Sequence, residues 1–173
     1  KQADALQLPF DLIPLSKDES YEDTMLGYYQ KLAGNGISHI AMGDIFLEDL
    51  RKYKEAILAK AGLTSLFPLW QQNTREMARE VIAANFQLII CSAEADLLPN
   101  AVGSLYNQSF IDKLPVSVDP CGENGEFHSF CFDGPNFHKA ISFQKGEVET
   151  RNFEFHTDDN KLIKRRFSFL ELY

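Results

Sequence analysis

The densest concentration of chemically capable side chains lies between residues 119 and 135. Asp119, Cys121, Glu123, Asn124, Glu126, His128 and Asp133 stand there among three glycines and two prolines. Gly122, Gly125 and Gly134 allow tight turns and close backbone approach. A strand over residues 126–132 would put Glu126, His128 and Phe130 on one face, and Phe127, Ser129 and Cys131 on the other. A carboxylate and an imidazole sharing a face beside a tight loop suit acid/base work or cation binding. The same composition also describes a turn-rich loop leading into an edge strand, and the residues leave both readings open.

Two sharper chemistries fare less well. Cys121, His128 and Cys131 form a C-x6-H-x2-C pattern, which lacks the paired short spacings and fourth ligand of a zinc site. No metal site is expected from it. Cys121 as a nucleophile with His128 as its base needs a lowered thiol pKa, which residue types do not supply. Asp44, behind Gly43, ends an expected buried strand, and ligands in open α/β sheets sit outside the carboxyl ends of strands. Asp44 is therefore a candidate ligand or Mg²⁺ contact, or an N-cap for the next helix. Trp70, the single tryptophan, could stack on a ring or fill a core. His39, inside an apolar run, reads as a core histidine, while His138 and His156 carry no usable signal.

These residues need elements to position them. The chain has 173 residues, which suits one domain with a lobe appended. Apolar residues make up 45% and charged residues 24%, which excludes a disordered chain, a collagen-like chain and a coiled-coil rod. No apolar run approaches the ~18 residues of a membrane span. A net charge of −8 argues against nucleic acid or an anionic membrane as partner. Lys161, Lys164, Arg165 and Arg166 form a local exception, read as a solvated strand face. Three cysteines, with Cys91 in an apolar L-I-I-C run, fit a reducing cytosol, and the N-terminal residues show no secretory signal.

Residues 1–7 read as the back half of an amphipathic helix, with Ala3 and Leu6 on one face and no N-cap, implying chain upstream. Residues 8–15 read as a buried strand, and Ser16 and Asp18 as the start of a turn. A helix is expected over 21–33, from Met25, Leu26, Tyr29 and Leu32, stopped by Gly34-Asn35-Gly36. Residues 37–45 read as a strand covered on both faces. Residues 47–61 read as a helix with Leu47, Leu50, Ile57, Leu58 and Ala61 on one face and Gly62 as its stop. After a loop over 62–70, Asn73 and Glu76 mark the start of a helix burying Met77, Ala78, Val81 and Ile82. Residues 86–91 read as a third buried strand. Residues 100–113 read as a helix with Val102, Leu105 and Phe110 inward. This alternation predicts an α/β fold, a parallel sheet with helices on both faces. Beyond Pro115, runs over 137–144, 147–156 and 162–172 predict antiparallel strands, with Lys145-Gly146 and Asp158-Asp159-Asn160 as their turns. The boundary expected is 1–115 against 116–173.

The run V-D-P-C-G-E-N-G-E-F-H-S-F-C-F-D-G-P, residues 118–135, resembles the signature of the diphthine–ammonia ligase (diphthamide synthase) family. That family belongs to the PP-loop ATP pyrophosphatases, with an adenine nucleotide alpha-hydrolase fold. G-D-I at 43–45 and P-L-W at 68–70 follow the family's order. The resemblance implies a Rossmann-like nucleotide-binding domain and a C-terminal lobe on the substrate side. It implies ATP and Mg²⁺ as cofactors, adenylation of a substrate carboxylate, release of pyrophosphate and attack by ammonia. The family's substrate class is diphthine on translation elongation factor 2. Gly43 and Asp44 would lie near nucleotide or Mg²⁺. Glu123, Glu126 and His128 would be catalytic, and Asp119, Cys121, Gly122, Asn124, Gly125 and Trp70 would contact substrate. A carboxylate cluster suits a trimethylammonium group.

Two departures qualify the resemblance. An S-G-G-K-D-S-like phosphate loop is absent from the sequence, and a β-loop-α unit of roughly 20–30 residues before Lys1 would supply it. The form E-N-G-E-F-H, against E-G-G-E-[FY]-E-T in archaeal and eukaryotic members, resembles a bacterial branch not expected to make diphthamide. The leading expectation is a cytoplasmic ATP-dependent ligase acting on a small-molecule or protein carboxylate with an ammonia donor, with a homodimer left open. The alternatives are a catalytically silent adenine-nucleotide-binding module and a hydrolase using Cys121 and His128.

Overall fold

The computed structural model describes residues 1–15, 18, 20–156 and 162–173. In chain order the elements are α1 (Gln2–Leu6), α2 (Tyr21–Gly34), β1 (His39–Ala41), α3 (Glu48–Lys60), β2 (Thr64–Leu66), α4 (Thr74–Ala83), β3 (Gln87–Glu94), α5 (Gln108–Asp112), β4 (Phe127–Asp133), β5 (Lys145–His156) and β6 (Leu162–Leu172). The class is α/β, with a two-stranded parallel sheet, β1-β2, and a separate four-stranded antiparallel sheet, β4-β3-β6-β5. The chain forms two compact units, Phe10–Gln72 and Lys1–Pro9 with Asn73–Tyr173. Among the described residues no helix is long and apolar enough to cross a membrane.

In the unit Phe10–Gln72, Ser20 caps α2 by accepting the Asp23 N–H at 3.0 Å. Leu58, Ala61 and Leu63 form its core, with Leu26, Tyr29 and Ile40 against them. Gly62 sits at φ 76°, the left-handed stop that ends α3. Lys60 Nζ reaches Glu22 at 2.6 Å, tying α3 to α2. Leu50, expected inward, is exposed. Residues 8–15 form no strand, and Leu8, Phe10, Leu12 and Leu15 are all exposed. Pro9 and Pro14 remove two ladder donors from that run. Ser16 lies outside the described residues.

The second expected strand shrinks to β1, three residues with exposed ends. Its one partner among the described residues is β2, so neither face gains the cover of a central strand. His39 is accordingly exposed, 2.8 Å from Ser38 Oγ, and not a core histidine. β2 itself lies in the stretch read as loop. Three residues, T-S-L, are too few to show a period.

In the larger unit, Asn73 Oδ1 accepts the Glu76 N–H at 3.0 Å and starts α4 as its capping pattern requires. The core joins Ala78, Ile90, Ala93, Tyr106, Ile111, Val118 and Phe127. β3 belongs to the antiparallel sheet and not to a parallel one. An apolar run reports cover on both faces, and a central antiparallel strand has the same cover as a parallel one.

The expected 100–113 helix reduces to α5. Upstream of it, Gly103 N and Ser104 O bond Ile90 at 2.8 and 2.9 Å, and Tyr106 N bonds Leu88 O at 2.9 Å. β6 pairs only with residues 92–94 of β3, so this stretch satisfies the backbone groups β6 leaves open. Leu105 is thereby exposed. Residues 134–144 hold no strand. Ile141 is pinned by its N–H to Phe132 O at 2.7 Å, and Phe143 packs on Phe130 and Phe132. The expected Lys145-Gly146 turn is the bulged start of β5. The β5/β6 pairing follows expectation, with Phe153 against Phe155, Phe167 and Phe169. The 158–160 turn and Lys161 lie outside the described residues. The expected single basic face is not formed, because successive residues of β6 alternate sides: Lys164 and Arg166, paired to Glu154 and Asp96, share one face, and Arg165, paired to Glu94, lies on the other.

Candidate functional site

The loop between Val118 and Phe127 is built by its own carboxylates. Asp119 Oδ2 accepts the Cys121 and Glu123 N–H groups, each at 3.0 Å. Glu126 Oε1 accepts the Asp119 N–H at 2.9 Å and Asn124 Nδ2 at 3.1 Å, and its Oε2 accepts the Asn124 N–H at 3.1 Å. Gly122 and Gly125 take φ 71° and 80°. A Cβ on Gly122 would fall 2.7 Å from Phe127 O, so that turn closes only with glycine. The ends are anchored from outside. Tyr106, buried between Phe110 and Phe127, donates its hydroxyl to Pro120 O at 2.8 Å. Burial pushes the Tyr106 pKa upward, so the hydroxyl keeps its proton for that bond.

This construction separates residues that the motif groups together. Glu126 is 4% exposed and spent on the loop, whereas His128 is exposed on β4 opposite Ser92. The shared Glu126–His128 face is not formed, because β4 begins only at Phe127 and the carboxylate before it folds back. Glu123 is half-buried and Asn124 exposed. Cys121 donates its thiol to Thr74 O at 3.3 Å. Burial first, then the charges of Asp119 and Glu123, push this thiol from 9.0 up to about 12. A neutral thiol with a raised pKa is a poor nucleophile, which removes the basis for the Cys121/His128 hydrolase. Cys131 donates to Asp133 O at 3.3 Å. No three His, Cys, Asp or Glu side chains among the described residues gather as a metal cluster.

A second group lies within the unit Phe10–Gln72. Asp44 follows β1 and is 6% exposed. Lys54 Nζ, from α3, reaches its Oδ1 at 2.6 Å. The other oxygen, Oδ2, is buried with no hydrogen-bond partner among the described residues. Asp44 does not cap α3, whose N-cap position is Leu47 with no side-chain bond. Gly43 has open space around it. Trp70 packs edge-on to Phe67, and the Arg51 guanidinium lies 4.5 Å from the Trp70 ring and 4.8 Å from Phe67. Arg51 Nε also bonds Glu55 at 2.8 Å. Trp70 therefore stacks, but on a cation of its own chain.

Sequence reasoning missed Arg51, Lys54 and Tyr106. The i,i+4 spacing of Arg51 and Glu55 was a usable signal for the first. Nothing local marks Tyr106, whose partner lies fourteen residues away.

Residues 73–167, which include the entire braced loop, match the diphthamide synthase C-terminal domain. The chain belongs to the diphthamide synthase family. Among curated relatives of the family, the Bos taurus diphthine–ammonia ligase is 32% identical over 143 residues, covering 79% of this chain and 52% of its own. The Homo sapiens diphthine–ammonia ligase is 31% identical over the same share of each chain. That of Danio rerio is 27% identical over 131 residues, 71% of this chain and 49% of its own. The chain thus spans about half the length of the curated relatives it matches. Asp44 and Trp70 lie outside the family-domain match, and the loop carboxylates lie inside it.

Proposed function

We propose that the protein is an ATP-dependent ligase that joins ammonia to a carboxylate and releases AMP and pyrophosphate. The observation that supports it most is the loop of residues 118–127. It is a self-braced turn in the family-defining domain that carries half-buried Glu123 and exposed Asn124 and is followed by exposed His128.

Glu126 and Asp119 act in this reading as positioning residues, holding four backbone N–H groups in place. Glu123 and His128 are the groups able to take the proton that ammonium loses before it attacks. The acidic loop suits a substrate with a cationic group, as diphthine's trimethylammonium would be. Diphthine, named for the relatives, is the first carboxylate to test. A cytoplasmic setting and a separate ammonia donor complete the proposal.

Asp44 fits the nucleotide side. A buried carboxylate oxygen without a partner, at the end of a parallel strand, suits Mg²⁺ or a nucleotide donor. Mg²⁺ at phosphates takes one or two protein carboxylates, so a single Asp is a sufficient share. When bound, ATP supplies the AMP leaving group that makes the substrate carbonyl reactive toward ammonia. No S-G-G-K-D-S-like phosphate-cradling turn occurs in the present sequence, and the proposal gives that role to none of its residues.

The test is product analysis of the whole protein given ATP, ammonium and diphthine-bearing elongation factor 2. AMP and pyrophosphate in equal amounts, with an amide on the factor, is the expected result. ADP and phosphate would overturn the reading. Nucleotide binding without any product would replace it with the silent nucleotide-binding module.

A further inference from the structure

A cleft of about 800 Å³ opens in the larger unit between the end of β3 and the segment leading to the 118–127 loop. That volume falls within the ~300–1,000 Å³ of small-molecule sites. Its wall is mainly apolar, with Leu97, Leu98, Leu105, Phe110 and Leu114 as the large side chains. Leu105 is 49% exposed, because pairing with β3 turns it outward. Phe110 stands edge-on to Phe127 at 5.4 Å, so the floor is held by the core.

The polar part of the wall is Lys113, the amides of Asn100 and Asn107, and the hydroxyls of Ser104 and Ser109. Among the described residues, Lys113 is the only charged one lining the cleft. Asn107 accepts the Phe110 N–H with its side-chain oxygen at 3.0 Å, which leaves its amide hydrogens as donors. The nearest carboxylate in sequence, Asp112, accepts from Gln108 at 2.7 Å. In a chain with 25 acidic and 17 basic residues, the described residues lining this cleft include a lysine and no Asp or Glu.

We propose that this cleft binds an amphipathic monocarboxylate, its hydrocarbon body on the leucines and Phe110 and its head on Lys113 and the Asn107 amide. One flexible ammonium with an amide matches a single negative charge. A phosphate dianion is matched best by a bidentate arginine, and the described residues lining this wall include none. The proposal is independent of the ligase reading, and its test uses no nucleotide, so either can fail alone.

The experiment is calorimetric titration of the chain with octanoate, 1-octanol and octyltrimethylammonium. Octanoate is expected to bind, octanol more weakly, and the cation least. Lys113→Glu and Leu105→Asp, both at exposed positions, are each expected to weaken octanoate about tenfold or more while leaving the melting temperature unchanged. Lys113→Arg is expected to retain binding. Equal affinity for all three probes, affinity unmoved by both variants, or no binding of octanoate would overturn the proposal.

Discussion

Glu126 receives three hydrogen bonds inside the loop, while Glu123, three residues earlier, stands half-exposed at its rim. Their environments give them different work, and burial decides which does which. Truncating Glu126 to Ala leaves the Asp119 and Asn124 N–H groups without an acceptor at a site 4% exposed. A hydrogen bond to a charged acceptor contributes about 1.5–3 kcal/mol. Glu126→Ala is expected to lower unfolding stability by at least about 2 kcal/mol in urea. Glu123→Gln is expected to shift it by less than about 0.5 kcal/mol. Equal effects of the two would show that Glu126 is no brace.

At the scale of elements, α3 is the organiser of its unit. One helix supplies Arg51 to the Phe67–Trp70 pair and Lys54 to Asp44, and it packs Leu58 into the core. The Lys54–Asp44 pair is largely buried, with side-chain exposures of 27% and 5%. Removing one partner of such a pair costs about 3–5 kcal/mol, because the remaining charge is stranded. Lys54→Met is expected to destabilise by about 3 kcal/mol, read from the urea midpoint. Adding Asp44→Asn is expected to restore a large part of that loss. A single variant as stable as the parent would mean that solvent reaches Asp44.

Across the whole molecule, the titratable groups with the largest upward shifts, Cys121 in the loop and Tyr106 against it, favour their protonated states. The Cys121 thiol is pushed up to about 12, first by burial, and the Tyr106 hydroxyl is pushed up by burial first and then by Cys121 and Asp119. A pKa raised on folding stabilises the fold below the unfolded value and loses that contribution as pH climbs to the folded one. For Cys121 the window runs from 9.0 to about 12. The melting temperature is expected to fall across that window, and Cys121→Ser with Tyr106→Phe is expected to flatten the fall. A double variant with the parent's alkaline profile would place the sensitivity elsewhere.

Some features are local, and local chemistry is written in the sequence. The Asn73 cap, the Gly62 stop, the α2 and α3 periodicities and the β5/β6 alternation each depend on residues within a few positions of one another. The 118–135 run likewise carried the family, because its glycines and carboxylates are needed side by side. The features that escaped depend on distant partners. An apolar run shows that β3 is covered but not that β4 and β6 run against it. Gly103 to Tyr106 abandon a helix because β3 has backbone groups to satisfy there. Residues 8–15 find no ladder, and 134–144 is held by packing without forming a strand. Glu126 and His128 part company because a carboxylate beside unpaired N–H groups gains more by folding back than by facing water. Side-chain order along the chain settled which residues meet within a turn. Backbone pairing across the fold decided strand direction, burial and which carboxylate of the loop braces it.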